Sequence, residues 1–157
     1  MNDDPIQNED KRLILFVCTG NTCRSAMAEG IARAVLRRSG GGGGVDVVSS
    51  GVFAGAGSHA TTEAINAVAR LGADLSGHRS QPISQPLIDS ATSIWCMTRG
   101  HAERVIAMDP TARDRVELLD PSGADIDDPI GAPQEHYDQV ARRLEAIIEA
   151  RMVEILA

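Results

Sequence analysis

The sequence predicts an α/β domain of three layers, α/β/α, with helices on both faces of a four-stranded parallel sheet, and three observations carry that prediction. Leu13 to Val17 is a continuous apolar run, the pattern of a parallel strand buried on both faces. It passes through a short polar loop into a helical pattern and then into a second apolar run at Val45 to Ser49, the strand, helix, strand order of a right-handed parallel unit. The chain closes on Gln134 to Ala157, an amphipathic stretch that must lay its apolar stripe against another layer. At 157 residues the chain is of ordinary single-domain size and long enough to bury a sizeable core.

Each element has its own signal. Residues 1–10 carry Asp3, Asp4, Pro5, Asn8, Glu9 and Asp10 and are expected to form a flexible tail, with the folded domain over 11–157. Lys11 to Val17 is the first strand. In Ser25 to Arg38, Met27, Ile31, Ala34 and Val35 recur at helical spacing while Glu29, Arg33 and Arg37 are expected to face away. Gly40 to Gly44, five consecutive glycines, reads as a surface connection, because a nucleotide-binding glycine loop needs a strand before it and a helix after it. Val45 to Ser49 is the second strand and Ser50 to Ala60 a loop. Thr61 or Thr62 caps a helix running to about Leu71, with Gly72 as its stop. Ser76 to Ser80 is a loop and Ser84 to Ser90 a short helix. Thr92 to Met97 is a third strand with Cys96 as a core thiol, His101 to Met108 a helix, and Arg115 to Leu119 the fourth strand. In the last helix Tyr137, Val140, Leu144, Ile147, Ile148, Met152 and Ile155 make one apolar stripe, which is core.

Composition narrows the function classes. No apolar stretch approaches the ~18 to 20 residues of a membrane span, and the acidic, polar N-terminus is unlike a signal peptide, so a cytoplasmic protein without a membrane partner is expected. Three cysteines argue against a disulfide framework and fit a reducing compartment. A net charge of −7 disfavours nucleic acid, so an anionic substrate must be attracted locally. His59, His101 and His136 lack ligand spacing, and neither a metal nor another cofactor is expected.

The local attraction comes from Cys18-Thr19-Gly20-Asn21-Thr22-Cys23-Arg24-Ser25, between the first strand and the first helix. The first N–H groups of that helix have no intrahelical partner and cradle an anion. A cysteine opening such a cradle has its thiolate favoured by the amides and the helix dipole, which makes Cys18 the candidate nucleophile. Arg24 offers a planar fork that matches two phosphate oxygens and holds a tetrahedral dianion over the sulfur. Cys18, five residues, Arg24 and Ser25 between strand and helix resemble the phosphate loop of cysteine-dependent phosphatases. Close to the N-terminus, this loop resembles that of the low-molecular-weight protein phosphatase family.

The resemblance implies a metal-free phosphatase acting on phosphorylated proteins through a phosphocysteine intermediate. Displacement by sulfur also needs an acid to protonate the leaving group. Three Asp-Pro pairs occur, at Asp109, Asp120 and Asp128, and the dipeptide alone is often a turn starter. The family carries its acid just before the C-terminal helix, which selects Asp128 with neighbouring Asp127 as the alternative. The same carboxylate would later activate water against the phosphocysteine. Thr19, Gly20, Asn21, Thr22, Cys23, Arg24 and Ser25 are the expected phosphate-binding positions. By resemblance Asn21 takes a left-handed conformation supported by Ser25, Ser49 and His78, and Asn tolerates positive φ better than most residues. Ser25 should also donate to the Cys18 thiolate. Cys23, in the same loop, is a candidate to condense with an oxidised Cys18 and protect it as a disulfide.

Substrate choice turns on Thr22, with Phe53 and Ile130 as neighbouring candidates for specificity. Tyrosine-specific members carry a bulky aliphatic residue at the position of Thr22 and aromatic side chains just after the acid Asp-Pro. Here Ile130-Gly131 follows Pro129, and aromatic residues make up 3% of the chain. The string Val17 to Ser25 is most similar to that of bacterial protein arginine phosphatases, which carry Thr in the loop. A phosphoguanidino group is rich in N–H donors, so a threonine hydroxyl and a carboxylate can accept from it where an aliphatic side chain cannot. Phosphoarginine is therefore the expected substrate and phosphotyrosine the alternative. Arsenate reduction would need a relay of two further cysteines, and Cys96 is alone. From another class, a redox sensor or a phosphate-binding module without turnover would not need Cys18, Arg24 and Asp128 together. Ala26 stands where many members have proline, which removes a helix-start preference but no reactive group.

Overall fold

The computed structural model describes residues 11–40 and 43–157, so the tail expected over 1–10 and the middle of the glycine run lie outside the described residues. The elements are β1 (Arg12–Cys18), α1 (Arg24–Arg38), β2 (Val45–Gly51), α2 (Thr62–Ala69), α3 (Gln85–Ser90), β3 (Ser93–Cys96), α4 (Arg99–Met108), a 3-10 helix (Pro110–Arg115), β4 (Val116–Leu118) and α5 (Gln134–Leu156). The four strands are all parallel in the order β2-β1-β3-β4.

Strand alternation sorts the core into two. Ile14 and Phe16 point to one face with Val45, Val47, Trp95 and Met97, where α1, α2 and α5 cover them. Leu15 and Val17 point to the other face with Ile94 and Cys96, beneath Ile88 of α3, Val105 of α4 and Ala112 of the 3-10 helix. Two cores on two faces make the three layers the sequence predicts. The α5 stripe is core as expected: Tyr137, Val140, Leu144, Ile148 and Met152 are buried, and Ile147 and Ile155 pack at its margin. No helix among the described residues is long and apolar enough to cross a membrane.

Several boundaries move for physical reasons. β2 runs two residues past Ser49 because it pairs with β1 as far as Cys18 opposite Gly51. Helix α2 is capped by Thr61, whose hydroxyl accepts from the Ala64 N–H, and it ends two residues before Leu71. Helix α4 begins at Arg99, ahead of His101, because Thr98 accepts from the His101 N–H and starts the helix. The 3-10 turn at Pro110–Arg115 had no periodic signal; Asp109 caps it and Pro110 opens it. Glu29 is the clearest correction. Expected to face away, it is 7% exposed, accepts from the Ser49 hydroxyl at 3.2 Å, and leaves Arg33 to reach it from the solvent side at 3.0 Å. Helical spacing alone did not reveal that Ser49 and His78 roof that side of α1.

The topology positions a crevice. β1 sits between β2 and β3, with α1 leaving β1 toward one face and α4 leaving β3 toward the other. Where successive connections diverge at the carboxyl ends of parallel strands, a groove opens. Cys18 ends β1 there.

Candidate active site

The loop from Cys18 to Ser25 wraps back on its own first residue. The Asn21 N–H points at the Cys18 sulfur at 3.3 Å, and the Ser25 hydroxyl lies 2.8 Å from it. Helix α1 begins directly after Cys23 with no side-chain cap and no acidic residue in its first turn. Its free amides and dipole therefore act on the loop unopposed.

Asn21 is the keystone of the turn. Among the described residues it is the only one other than glycine with positive φ, at 57°. Its side-chain amide donates to Ser25 Oγ at 2.8 Å and Ser49 Oγ at 2.9 Å, while its Oδ1 accepts from the Gln81 N–H at 3.0 Å. Its own carbonyl accepts from His78 Nε2 at 2.7 Å. His78 lies 3.9 Å from Glu29 on its other nitrogen. Burial works against charge on His78, but the Glu29 carboxylate and the Asn21 carbonyl outweigh it, so its pKa is raised.

The opposite rim of the loop is tied to β2 and α2. Val52 N–H donates to the Cys18 carbonyl and Phe53 N–H to the Thr19 carbonyl, both at 2.9 Å, and Thr61 N–H reaches the Thr22 carbonyl at 3.1 Å. Sequence reasoning missed why Gly51 is glycine. A Cβ there would lie 2.3 Å from the Thr19 carbonyl oxygen and 3.0 Å from the Asn21 nitrogen, so the close approach of β2 to the loop requires its absence.

Arg24 is buried, and its guanidinium bridges to the acid-bearing loop. Nη1 donates to the Ile126 carbonyl at 3.0 Å, Nη2 to Thr19 Oγ1 at 3.4 Å, and Nη2 stands 3.4 Å from Asp128 Oδ2. The Asp128 side chain is 43% exposed and its Oδ1 accepts from the Ile130 N–H at 3.1 Å. Asp127 is exposed and is not the carboxylate that meets Arg24. The acid loop is anchored upstream by Ile126, whose N–H donates to Met97, and by Arg143, which holds the Asp125 carbonyl at 3.2 Å and the Asp120 carboxylate at 2.9 Å. Those anchors were invisible in sequence, because backbone carbonyls carry no residue signature.

The remaining candidates are dispersed. Thr22 is half-buried with its hydroxyl 3.9 Å from Cys23 Sγ. Cys23 itself is buried, 3.4 Å from the Tyr137 hydroxyl and 3.8 Å from that of Thr61. Burial and the neighbouring Cys23 push the Tyr137 phenol up to about 12. Phe53 is exposed, and Arg104 stacks over its ring at 4.4 Å from the centroid. Ile130 is 64% exposed on the acid loop. Cys96 is fully buried in β3, and burial pushes its thiol up to about 12. Among the described residues no group of three His, Cys, Asp or Glu side chains gathers as a metal site.

One member reads in the sequence only as a histidine without ligand spacing. His101, in the first turn of α4, lies with Nε2 2.8 Å from Thr19 Oγ1. Burial, with the Arg24 charge behind it, pushes its pKa down to about 4, against weaker pulls from Asp125 and Asp128. A lone histidine without a motif gives no signal; only the convergence of β1 and β3 reveals it.

A nucleophile-bearing anion cradle, a buried guanidinium and a half-exposed carboxylate over one crevice can bind a tetrahedral dianion, attack it and protonate what leaves. Comparison with known proteins identifies the family. Residues 13–156 match the family described as low molecular weight phosphotyrosine protein phosphatase. The chain is 39% identical over 140 residues to a protein-arginine-phosphatase of Geobacillus stearothermophilus, covering 87% of this chain and 90% of that protein. It is 36% identical over 139 residues to a protein-arginine-phosphatase of Bacillus subtilis (strain 168), covering 86% and 91%. The solved structure of a YwlE mutant from Bacillus subtilis superposes with a TM-score of 0.88 at 32% identity, covering 94% of this chain and 100% of that one.

Proposed function

The chain belongs to the low molecular weight phosphotyrosine protein phosphatase family, and from that premise we propose that it hydrolyses phosphoarginine on proteins through a phosphocysteine intermediate. It is a cysteine-dependent protein phosphatase, and its substrates are phosphorylated proteins. The observation that carries the reading is the Arg24 guanidinium, buried behind the Cys18 loop and paired with Asp128 at 3.4 Å.

In the proposed mechanism Arg24 and the amides at the start of α1 hold the phosphoryl dianion. The Cys18 thiolate attacks phosphorus, the bond from phosphorus to the guanidino nitrogen breaks, and Asp128 gives its proton to that nitrogen. Asp128, now a carboxylate, takes a proton from water, which attacks phosphorus and expels Cys18. The Ser25 hydroxyl, 2.8 Å from the sulfur, stabilises the thiolate as it leaves.

Support for phosphoarginine comes from Thr22 and from the named activity of the relatives. A hydroxyl in the loop accepts from a guanidino N–H, and an aliphatic side chain there would favour an aryl ring. The deciding measurement is kcat/KM for phosphoarginine against phosphotyrosine peptides, with wild type, Thr22→Ile, and Cys18→Ser as blank. Preference for phosphoarginine that weakens or reverses in Thr22→Ile is expected. Preference of the wild type for phosphotyrosine would overturn the substrate assignment while leaving Cys18, Arg24 and Asp128 in their roles. Full biological activity of Cys18→Ser would instead favour a binding module or sensor.

Arsenate reduction needs two relay thiols besides Cys18, and Cys96, buried with its thiol pushed up to about 12, is unsuited to such a relay. Cys23 is proposed as the resolving thiol when peroxide oxidises Cys18 to a sulfenic acid: it attacks that sulfur, water leaves, and a disulfide remains. Mass spectrometry after peroxide should find Cys18 joined to Cys23; Cys18 oxidised further with Cys23 free would refute it. The acidic balance and the odd number of cysteines support a cytoplasmic enzyme that uses neither nucleic acid nor membrane as partner.

A further inference from the structure

His101 has no part in the mechanism above, yet it is 6% exposed and links α4 to the phosphate loop. Its Nδ1 lies 3.2 Å from the Thr98 backbone N–H, which can only donate, so Nδ1 accepts and carries no proton. The proton of the neutral ring is therefore on Nε2, which donates to Thr19 Oγ1 at 2.8 Å. Thr19 Oγ1 also accepts from Arg24 Nη2 at 3.4 Å. A hydroxyl has two lone pairs and one hydrogen; with both lone pairs engaged, its remaining capacity is to donate. Thr19 is exposed at the mouth of the loop, beside Cys18. A phosphoryl dianion offers acceptors and no donors, so it matches that capacity.

We propose that His101 is a positioning residue for the phosphoryl clamp: by donating to Thr19 Oγ1 it seats that hydroxyl against Arg24 Nη2 and turns its O–H outward, toward a phosphoryl oxygen of the substrate. This rests on the phosphatase reading of Cys18 and Arg24 but not on the choice of phosphoarginine, since every phosphomonoester or phosphoramidate presents the same oxygens.

The test measures kcat and KM on a phosphoarginine peptide and on a simple aryl phosphate, together with competitive inhibition by inorganic phosphate. The variants are Thr19→Val, Thr19→Ser, His101→Leu, His101→Gln and the double Thr19→Val/His101→Leu. Thr19→Val and His101→Leu should each lower kcat/KM roughly tenfold on both substrates and weaken inhibition by phosphate. The double variant should fall no further than the larger single loss. Thr19→Ser should recover most of the activity, as should His101→Gln, whose amide can accept from Thr98 and donate to Thr19. Additive losses in the double variant, or unchanged kcat/KM in His101→Leu, would overturn the proposal. If His101→Leu does not fold, because α4 loses part of its cap, Thr19 decides: equal loss in Thr19→Val and Thr19→Ser, or loss in neither, overturns it. Failure of the phosphoarginine reading shows separately, as a wild type that prefers the aryl phosphate.

Discussion

The phosphate loop and the loop that carries Asp128 meet at Arg24, and they are held in opposite ways. Asn21 alone makes four bonds, one inside the loop to Ser25 and three that fasten residues 18–25 to Ser49, His78 and Gln81, and the loop's side chains are largely buried. Residues 127–133 rest on local bonds, Ile130 to Asp128 and Ala132 to Pro129, and on the pair with Arg24, with Asp128 43% exposed. The difference matches the proposed chemistry. Donors that stabilise a dianion work best when fixed in advance, because they then cost no reorganisation in the reaction. A group that delivers a proton and then takes one from water must reach solvent.

The largest effect expected from breaking this division is at Asp128. Asp128→Asn should lower kcat on phosphoarginine roughly 10²- to 10⁴-fold while costing no more than about 1 kcal/mol of stability, the worth of a part-exposed ion pair with Arg24. Asp127→Asn should leave kcat within about twofold, since only a neighbouring charge is lost. Steady-state kinetics beside a denaturation curve separates the two, and a crippled Asp127→Asn would exchange their roles.

Gly51→Ala attacks the rigid side instead. The added Cβ would lie 2.3 Å from the Thr19 carbonyl, a backbone atom that can yield only by moving the loop. Overpacking of this kind costs about 1 to 3 kcal/mol, and stability and kcat/KM should fall together. A variant with normal stability and activity would mean that β2 does not brace the loop.

Legibility followed the same division. The layers, the four strands and the nucleophile and clamp candidates could be read from the sequence, because apolar periodicity and the Cys18 to Ser25 spacing are local signals; the acid candidate, one of three Asp-Pro pairs, is selected only by family resemblance. What could not be read depends on contacts between distant segments. Gly51 looked like one loop glycine among three, Glu29 like a solvent-facing residue, and His101 like one of three histidines without ligand spacing. Each owes its place to what the fold brings against it: the Thr19 carbonyl, Ser49, and the Thr19 hydroxyl.

The two histidines sharpen the comparison through pH. His78 braces the loop from behind, beside Glu29, and its pKa is raised above the ordinary 6.5. The folded chain holds that proton more tightly than the unfolded one, so its contribution is full below 6.5 and is lost as pH rises through the raised value. His101, beside Arg24, is lowered to about 4. Between 6.5 and 4 the unfolded chain binds a proton that the folded chain refuses, so its contribution is full above 6.5 and is lost as pH falls toward 4. Denaturation measured on both sides of 6.5 should show the acid-side loss reduced in His101→Gln and the alkaline-side loss reduced in His78→Gln. Slopes that change in the same sense in both variants would contradict the assignment.

The smallest effect is expected at Ile130, where backbone and side chain do separate work. Its N–H orients Asp128 and survives any substitution but proline, while its side chain, 64% exposed, buries little. Ile130→Ala should therefore leave the melting temperature and the pH profile of kcat unchanged, with stability within about 0.5 kcal/mol. If the side chain lines the approach to Cys18, KM for a phosphoarginine peptide should rise a few-fold, as roughly 1 kcal/mol of apolar contact implies, while KM for a small aryl phosphate stays put. Equal changes on both substrates would place the effect on Asp128 rather than on substrate contact, and the acid loop would then be more tightly coupled than its sparse bonding indicates.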